Sequence, residues 1–239
     1  MGRPAMNEAN LDIRSQPGPH VFVTDLEFPD LAEDDRRHLA RSLRLRNGDA
    51  LTVSNAQGEW RTAVFGDSIV PSGPPRRVVS RPYVVGLGIA LTKAAKPELA
   101  VQKATECGID EITVFPATHS VARWDETKRE RNEERLRKVA REAAMQSRRV
   151  TIPIVRVVAT FGEVFPGESL VRADFGGVAV HGDHKFVLIG PEGGWSDEER
   201  ELVPASVDLG PTVLRAETAA VVAAASLASF RARAAPVTD

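Results

Sequence analysis

Two glycine-bearing stretches near the C-terminus have the residue types to hold a small ligand. They are Val187-Leu188-Ile189-Gly190-Pro191-Glu192-Gly193-Gly194-Trp195-Ser196-Asp197-Glu198-Glu199 and Leu209-Gly210-Pro211-Thr212-Val213-Leu214-Arg215-Ala216-Glu217-Thr218-Ala219. Each reads as a short apolar run, a turn and a helix start. Gly190, Gly193 and Gly194 allow positive φ and a close approach of backbone to another group. Ser196 followed by Glu199 is a capping-box pattern, with acids in the first helical turn. That cap bears on the ligand. A phosphate loop leaves its helix N-terminus open to an anion, whereas Asp197, Glu198 and Glu199 already fill this one, and no Lys follows the glycines. A triphosphate is disfavoured; a neutral or cationic ligand held by backbone amides and carbonyls fits better.

The elements that must position these loops alternate between strand and helix. Residues 84–91 are apolar and read as a buried strand. Pro97 suits a first helical turn, Leu99, Ala100, Ala104 and Cys107 follow one helical face, and Gly108 is a natural C-cap. A strand is predicted over 111–115 and a long helix over 127–147, where Leu136, Val139, Ala140 and Ala143 share a face. Short strands near 154–158, 169–172, 178–181, 186–189 and 206–209, and helices from Ser196 and about Glu217, complete the set. The pattern predicts a mostly parallel sheet covered on both faces, with ligands bound beyond the strand C-termini. Both glycine stretches lie at that edge.

Residues 1–75 read as a separate unit, closed by the linker Pro71-Ser72-Gly73-Pro74-Pro75; 76–239 is the second. Residues 1–19 read as a loose tail. Strands are predicted at 21–23, 50–54 and 59–65, with turns at Asn47-Gly48-Asp49 and 55–58, and a short helix over 34–43 whose Leu39 and Leu43 share a face. Short strands at this spacing suggest a small β-barrel. The unit carries a basic cluster of Arg36, Arg37, His38, Arg41, Arg44 and Arg46, with Arg61 added later. It is either an RNA contact or a solvated face partly neutralised by Asp34, Asp35 and Asp49.

Composition excludes several classes. The 239 residues are 42% hydrophobic and 27% charged, ordinary for a soluble globular protein, and the formal net charge of −2 carries no global nucleic-acid signal. A single cysteine, Cys107, allows no intrachain disulfide or cysteine-based zinc site and suits a reducing cytoplasm. No stretch has the length and flanks of a signal peptide or membrane span; the Ala-rich 219–230 reads as a buried helix.

The paired loops, Leu188-Ile189-Gly190-Pro191-Glu192-Gly193-Gly194 and Leu209-Gly210-Pro211-Thr212-Val213-Leu214-Arg215-Ala216-Glu217-Thr218-Ala219, resemble the cofactor loops of the SPOUT, or α/β-knot, RNA methyltransferases, and within them the RsmE family. The likeness extends upstream. His38-Leu39, Leu43-Arg44 and Asn47-Gly48-Asp49 resemble the PUA-like RNA-binding domain that opens these proteins, although His20 stands where an Arg is usual. Lys93, Lys96, Glu98, Gln102, Lys103, Ala104, Thr105, Glu106, Gly108 and Ile109 resemble a segment in which Cys107 replaces a Leu. Glu142, Gln146, Ser147 and Arg149 resemble a Glu-Gln-Ser helix end with Met145 replacing a Glu, and His119-Ser120-Val121 an Arg-Ser-Val stretch without its Arg.

The resemblance implies a PUA-like barrel followed by a SPOUT domain with a C-terminal trefoil knot, and a cytoplasmic homodimer whose interface completes the active site. It implies methylation of N3 of a uridine in 16S ribosomal RNA, with S-adenosylmethionine held by Leu188, Ile189, Gly190, Pro191, Glu192, Gly193, Gly194, Leu209, Gly210, Val213, Leu214 and Thr218. RNA would be held by Arg36, Arg37, Arg41, Arg44 and Arg46. A sulfonium methyl is already activated, so transfer requires no metal. The uridine N3 proton must leave as negative charge spreads onto O2 and O4; Arg215 is the first candidate to stabilise it, or else a partner of Glu217 or Glu192. Glu217 is a second candidate, or a helix cap beside Thr218. None of the five histidines stands out as a general base. A methyltransferase for another RNA, a non-catalytic ribosome-assembly factor and an adenine-nucleotide enzyme are the rival readings, the last weakened by the missing Lys.

Overall fold

The computed structural model describes residues 12–78, 81–92, 97–164 and 169–234. The chain forms two compact units: residues 1–79 with 144–151, and residues 80–143 with 152–239. The segment 144–151 thus joins the first unit, which a single boundary near Pro75 does not provide for.

In the first unit, β1 (His20–Phe22) runs parallel to β2 (Ala50–Ser54), and β2 is antiparallel to β3 (Glu59–Val64). The strands β4 (Val70–Pro71) and β5 (Arg76–Arg77) both pair with β3. Val21, Leu39, Leu51, Val53 and Phe65 make the core. The N-terminal stretch expected to be loose is not so from residue 12 onward. Asp12 caps a short 3₁₀ turn, Ile13–Ser15, and Ile13 is buried with Trp60 and Val150. The Arg148 guanidinium holds this turn by donating to the carbonyls of Ile13 and Gln16 at 3.1 and 2.7 Å.

The expected single helix over 34–43 is two pieces. Helix α1 (Glu33–Arg37) runs on as a π-helical turn, His38–Ser42, in which the Leu43 amide donates to the His38 carbonyl. The wider turn breaks the spacing of four. Leu39 is fully buried, while Leu43 is 47% exposed.

His20, which stands where an Arg is usual, points inward. It is buried, with Nδ1 2.9 Å from the Thr52 hydroxyl and Nε2 3.1 Å from the Arg149 carbonyl. Burial lowers its pKa from 6.5 to about 4. Between these values the unfolded chain binds a proton that the folded chain refuses, so stability falls as pH drops through this window. Full acidification to pH 4 should cost about 3 kcal/mol at this one site. Guanidinium titrations across that range should show His20→Gln with a flatter pH dependence than wild type; equal slopes would remove His20 as the cause.

In the second unit the order is β6 (Gly86–Ala90), α2 (Pro97–Cys107), β7 (Glu111–Phe115), α3 (Glu126–Gln146) and β8 (Ile154–Val157). Then come β9 (Leu170–Ala179), β10 (Phe186–Ile189), α4 (Asp197–Leu202), β11 (Ser206–Asp208) and α5 (Ala216–Arg233). The sheet order is β11-β9-β10-β6-β7-β8, and every neighbouring pair is parallel. All four residues of β10 are buried, as a strand covered on both faces requires. In β6 a Cβ on Gly86 would lie 2.2 Å from the Phe186 ring, and one on Gly88 2.3 Å from Leu188, so β6 and β10 interlock only with glycine at these places. Helix α5 lies against α2, β6 and β10, burying Ala219, Ala220, Ala223, Ala224 and Leu227. No helix among the described residues is long and apolar enough to cross a membrane.

The two short strands predicted at 169–172 and 178–181 are one strand, β9. Its pairing with β11 slips from Arg172↔Ser206 to Val178↔Val207. Gly176 sits at φ +74 within this slip, and a Cβ on Gly177 would lie 2.6 Å from the β11 backbone. This irregular strand carries Ala173, Asp174 and Phe175 to the edge where the glycine loops lie.

Candidate active site

The loops that follow β10 and β11 enclose a cleft of about 330 Å³ at the C-terminal edge of the sheet. The first loop folds back on itself around Trp195. The Trp195 ring fills the space a Cβ on Gly190 would need, at 2.8 Å, and its indole Nε1–H donates to the Ala173 carbonyl at 2.8 Å. The three glycines do different things. Only Gly194 has positive φ, +73, where its amide closes a turn onto the Pro191 carbonyl; a side chain there would meet open space. Gly190 is required by the close approach of Trp195, and Gly193 by His119, 2.9 Å from its missing Cβ.

The capping box forms as its residues predict. Ser196 Oγ accepts from the Glu199 amide at 3.2 Å, and Glu199 accepts from the Ser196 amide at 2.9 Å. Glu199 is buried, and its second oxygen accepts from the Thr118 amide at 2.7 Å. The His119 Nδ1–H donates to the Gly194 carbonyl at 3.1 Å. The loop after β7 is therefore tied to the first glycine loop. The second loop is held by Asp208, whose carboxylate accepts from the amides of Gly210 at 3.0 Å and Gly176 at 3.3 Å.

The cleft gathers Ile189, Gly190, Pro191, Glu192, Gly194, Leu209, Gly210, Val213, Leu214 and Arg215. Four sequence-selected residues do not line it. Leu188 alternates away from Ile189 and packs with Phe115 and Phe186 in the core. Gly193 faces His119. Glu217 and Thr218 lie within α5, which begins at Ala216, so neither is its cap. Arg215 holds the N-cap position with extended backbone and no side-chain cap bond. Its side chain is exposed, and among the described residues it makes no ion pair with Glu217 or Glu192. Sequence reading missed Ala173, Asp174, Phe175, Trp195, Asp208, Thr212, Ala216 and Ala219, which complete the wall. Trp195, Asp208 and Thr212 lay within or beside the quoted motifs. The three on β9 carried no signal, because a Gly-Gly pair follows them.

The cleft wall is acidic. Asp174, Glu192 and Asp208 face a single cation, Arg215. Asp174 is itself paired with Arg172 at 3.3 Å and Arg200 at 2.5 Å, which leaves Glu192 and Asp208 to favour a cationic ligand. Phe175 and Val213 add apolar surface at the mouth, 68% and 83% exposed.

The basic cluster of the first unit divides. Arg36 donates to the Gly66 carbonyl at 2.9 Å and lies over the Phe65 ring; Arg37 pairs with Asp34 at 2.6 Å. Arg61 does not belong to this surface. It is buried, donating to the carbonyls of Gly73 and Leu26 and pairing with Glu27. Arg41, Arg44 and Arg46 are exposed, and their side chains have no partner among the described residues. Of the upstream residues, Lys103 pairs with Glu106 on α2 at 2.8 Å, while Lys93 and Lys96 lie outside the described residues.

Comparisons with known proteins cover both parts of the chain. A family model described as an RNA methyltransferase domain matches residues 79–228, and one described as an RNA methyltransferase PUA domain matches residues 31–68. The chain is 31% identical over 223 residues to ribosomal RNA small subunit methyltransferase E of Mycobacterium tuberculosis, covering 80% of this chain and 82% of that one. The fold is similar to that of a putative methyltransferase from Legionella pneumophila in complex with the bound cofactor SAM, with a TM-score of 0.76 at 24% identity over 90% of this chain and 98% of that one. A probable rRNA-methyltransferase from Porphyromonas gingivalis matches with a TM-score of 0.73 at 28% identity and the same coverage. With matches spanning both units, the chain belongs to the ribosomal RNA small subunit methyltransferase E family, an RNA methyltransferase domain preceded by its PUA domain.

Proposed function

We propose that this chain transfers the methyl group of S-adenosylmethionine to N3 of a uridine in 16S ribosomal RNA. The observation that carries the reading is the acidic, glycine-walled cleft with one free arginine at its rim. The residues present suit the cofactor. Backbone groups of the loops 190–194 and 209–214 offer donors and acceptors to an adenine and a ribose, Ile189 and Leu214 offer apolar contact, and Glu192 and Asp208 offer negative charge to a cation. When bound, S-adenosylmethionine supplies an activated methyl on a sulfonium. The chain's own part is to hold the uracil N3 in line and to stabilise the charge left on O2 and O4. We assign the second task to Arg215, which lines the cleft. The homodimer and the C-terminal knot belong to the same reading; the exposed Phe175 and Val213 at the cleft mouth are apolar surface that a second copy would cover. Mapping methylated positions in small-subunit RNA from a deletion strain, with and without the restored chain, tests the reading. An unchanged methylation map would overturn it.

Cofactor binding and RNA binding should respond to different substitutions. Gly190→Val forces the Trp195 ring out of its place and should weaken S-adenosylmethionine binding roughly tenfold or more. Gly194→Val acts by a different route, since φ of +73 strains a β-branched residue although the space is open. Gly194→Asn should therefore retain more affinity than Gly194→Val. Titration calorimetry checks both, and wild-type affinity in Gly190→Val would remove this loop from the site. In the first unit, replacing Arg41, Arg44 and Arg46 together by Ala should weaken RNA binding and lower the salt slope by up to about three. Affinity for S-adenosylmethionine should not change. Equal slopes in filter-binding titrations would leave these arginines as a solvated face.

A further inference from the structure

A second cleft, of about 350 Å³, opens beyond the ends of β7 and β8 at the same edge of the sheet. Trp124 and Phe161 give it aromatic walls, Thr118 a hydroxyl and Arg129 a cation. Phe161, in this cleft, lies 6.0 Å from Trp195, which lines the first, so one aromatic pair separates the two. The dividing wall is also hydrogen-bonded as one piece, through Thr118, Glu199 and Ser196.

The charges here are not equivalent. Arg123 is used in the wall, donating to the carbonyls of Ala117 and Thr118 at 2.8 and 3.1 Å. Glu199 is consumed by the two amides it accepts from. Arg129 is half-buried; Glu163 is near enough to feel its charge, but the guanidinium makes no ion pair or hydrogen bond with another described residue. Glu198 stays at the rim, exposed.

We propose that this second cleft receives the nucleotide next to the target base on the same RNA strand, its base against Trp124 and Phe161 and its phosphate on Arg129. The inference rests on the RNA methyltransferase reading above. N3 lies on the pairing edge of uracil, so the target base must be unpaired, and entering the first cleft takes it out of its stack. Its neighbour then loses a stacking partner. An aromatic-walled cleft one aromatic pair away replaces that partner, and a free guanidinium holds the linking phosphate. Aromatic surface with a cation and few directed polar groups is the chemistry that reads single strands with little regard for base identity.

Photo-crosslinking of the full chain to single-stranded RNA of the target strand, with 4-thiouridine scanned along it, tests the placement. A flanking 4-thiouridine should label peptides within 117–129 or 158–164; labels confined to other peptides would overturn the proposal. Arg129→Ala should raise KM for RNA about tenfold, lower the salt slope of RNA binding by about one, and change kcat less than about twofold. Arg129→Lys should restore the salt slope, and thermal unfolding should be the same in all three proteins. An unchanged RNA affinity and slope in Arg129→Ala would overturn the proposal. Crosslinking and the salt slope need no turnover. A wild-type chain that transfers no methyl group, yet loses RNA affinity with Arg129, would refute the catalytic reading and leave the cleft as an RNA site.

Discussion

Arg215→Ala is expected to lower kcat by roughly 10²–10³ while S-adenosylmethionine affinity changes little, the scale for losing one donor to a developing oxyanion. Arg215 stands at the N-cap of α5, with extended backbone and no cap bond of its own. Its side chain is exposed at the rim of the cleft and unpaired by Glu217 or Glu192 among the described residues. A guanidinium so placed is not spent on an internal pair, so its charge is available to an oxyanion that develops in the cleft. Arg215→Lys should recover only part of the rate, because an ammonium lacks the planar fork that meets an oxygen with two parallel donors. Single-turnover methylation and cofactor titration on the same folded variant separate rate from binding. Normal chemistry with weakened cofactor binding would make Arg215 a structural element of the second loop, and the oxyanion would need another partner.

The second large effect concerns stability. Asp110 precedes β7, and its carboxylate pairs with Arg81 and with Arg231 near the end of α5, and accepts from the Val85 amide at 3.1 Å. The Arg231 side chain is only 9% exposed and also donates to the Gly108 carbonyl at 2.6 Å. Removing the carboxylate leaves this guanidinium buried without its counter-charge, the situation that costs about 3–5 kcal/mol. Asp110→Ala should therefore lower Tm by about 10 °C in a chain of this length. The double variant Asp110→Ala with Arg231→Met should lose much less than the sum of the two single changes, because it removes the stranded charge along with its partner. Calorimetry on the four proteins closes the cycle. Additive losses would show that the pair is not coupled.

What the chain declares locally was legible. The capping box at Ser196 and Glu199, the start of α2 at Pro97 and its end at Gly108 depend on residues a few positions apart. So does the run 186–189, whose unbroken apolar character marks a strand covered on both faces. The two glycine loops, paired in the sequence, come together at one cleft.

What depended on distant neighbours was not legible. Ala173-Asp174-Phe175-Gly176-Gly177 reads as a break, since glycine weakens strands. It stays within the strand because β9 pairs with β11 at Arg172 and again at Val178, with the β11 backbone so close to Gly177 that no side chain would fit. Arg61 carries the same charge as Arg41, and nothing in its own neighbourhood says that two carbonyls and Glu27 will enclose it. His20 could be named as a departure, but its neutral state comes from burial, and the groups that enclose it, Thr52 and Arg149, lie far along the chain. Glycine at 190 announces that something will approach the backbone. That the visitor is Trp195, and that its indole then reaches across to β9 to shape the wall of the cleft, is a property of the folded chain: it requires the turn at Gly194 to bring the ring back and β9 to present the Ala173 carbonyl.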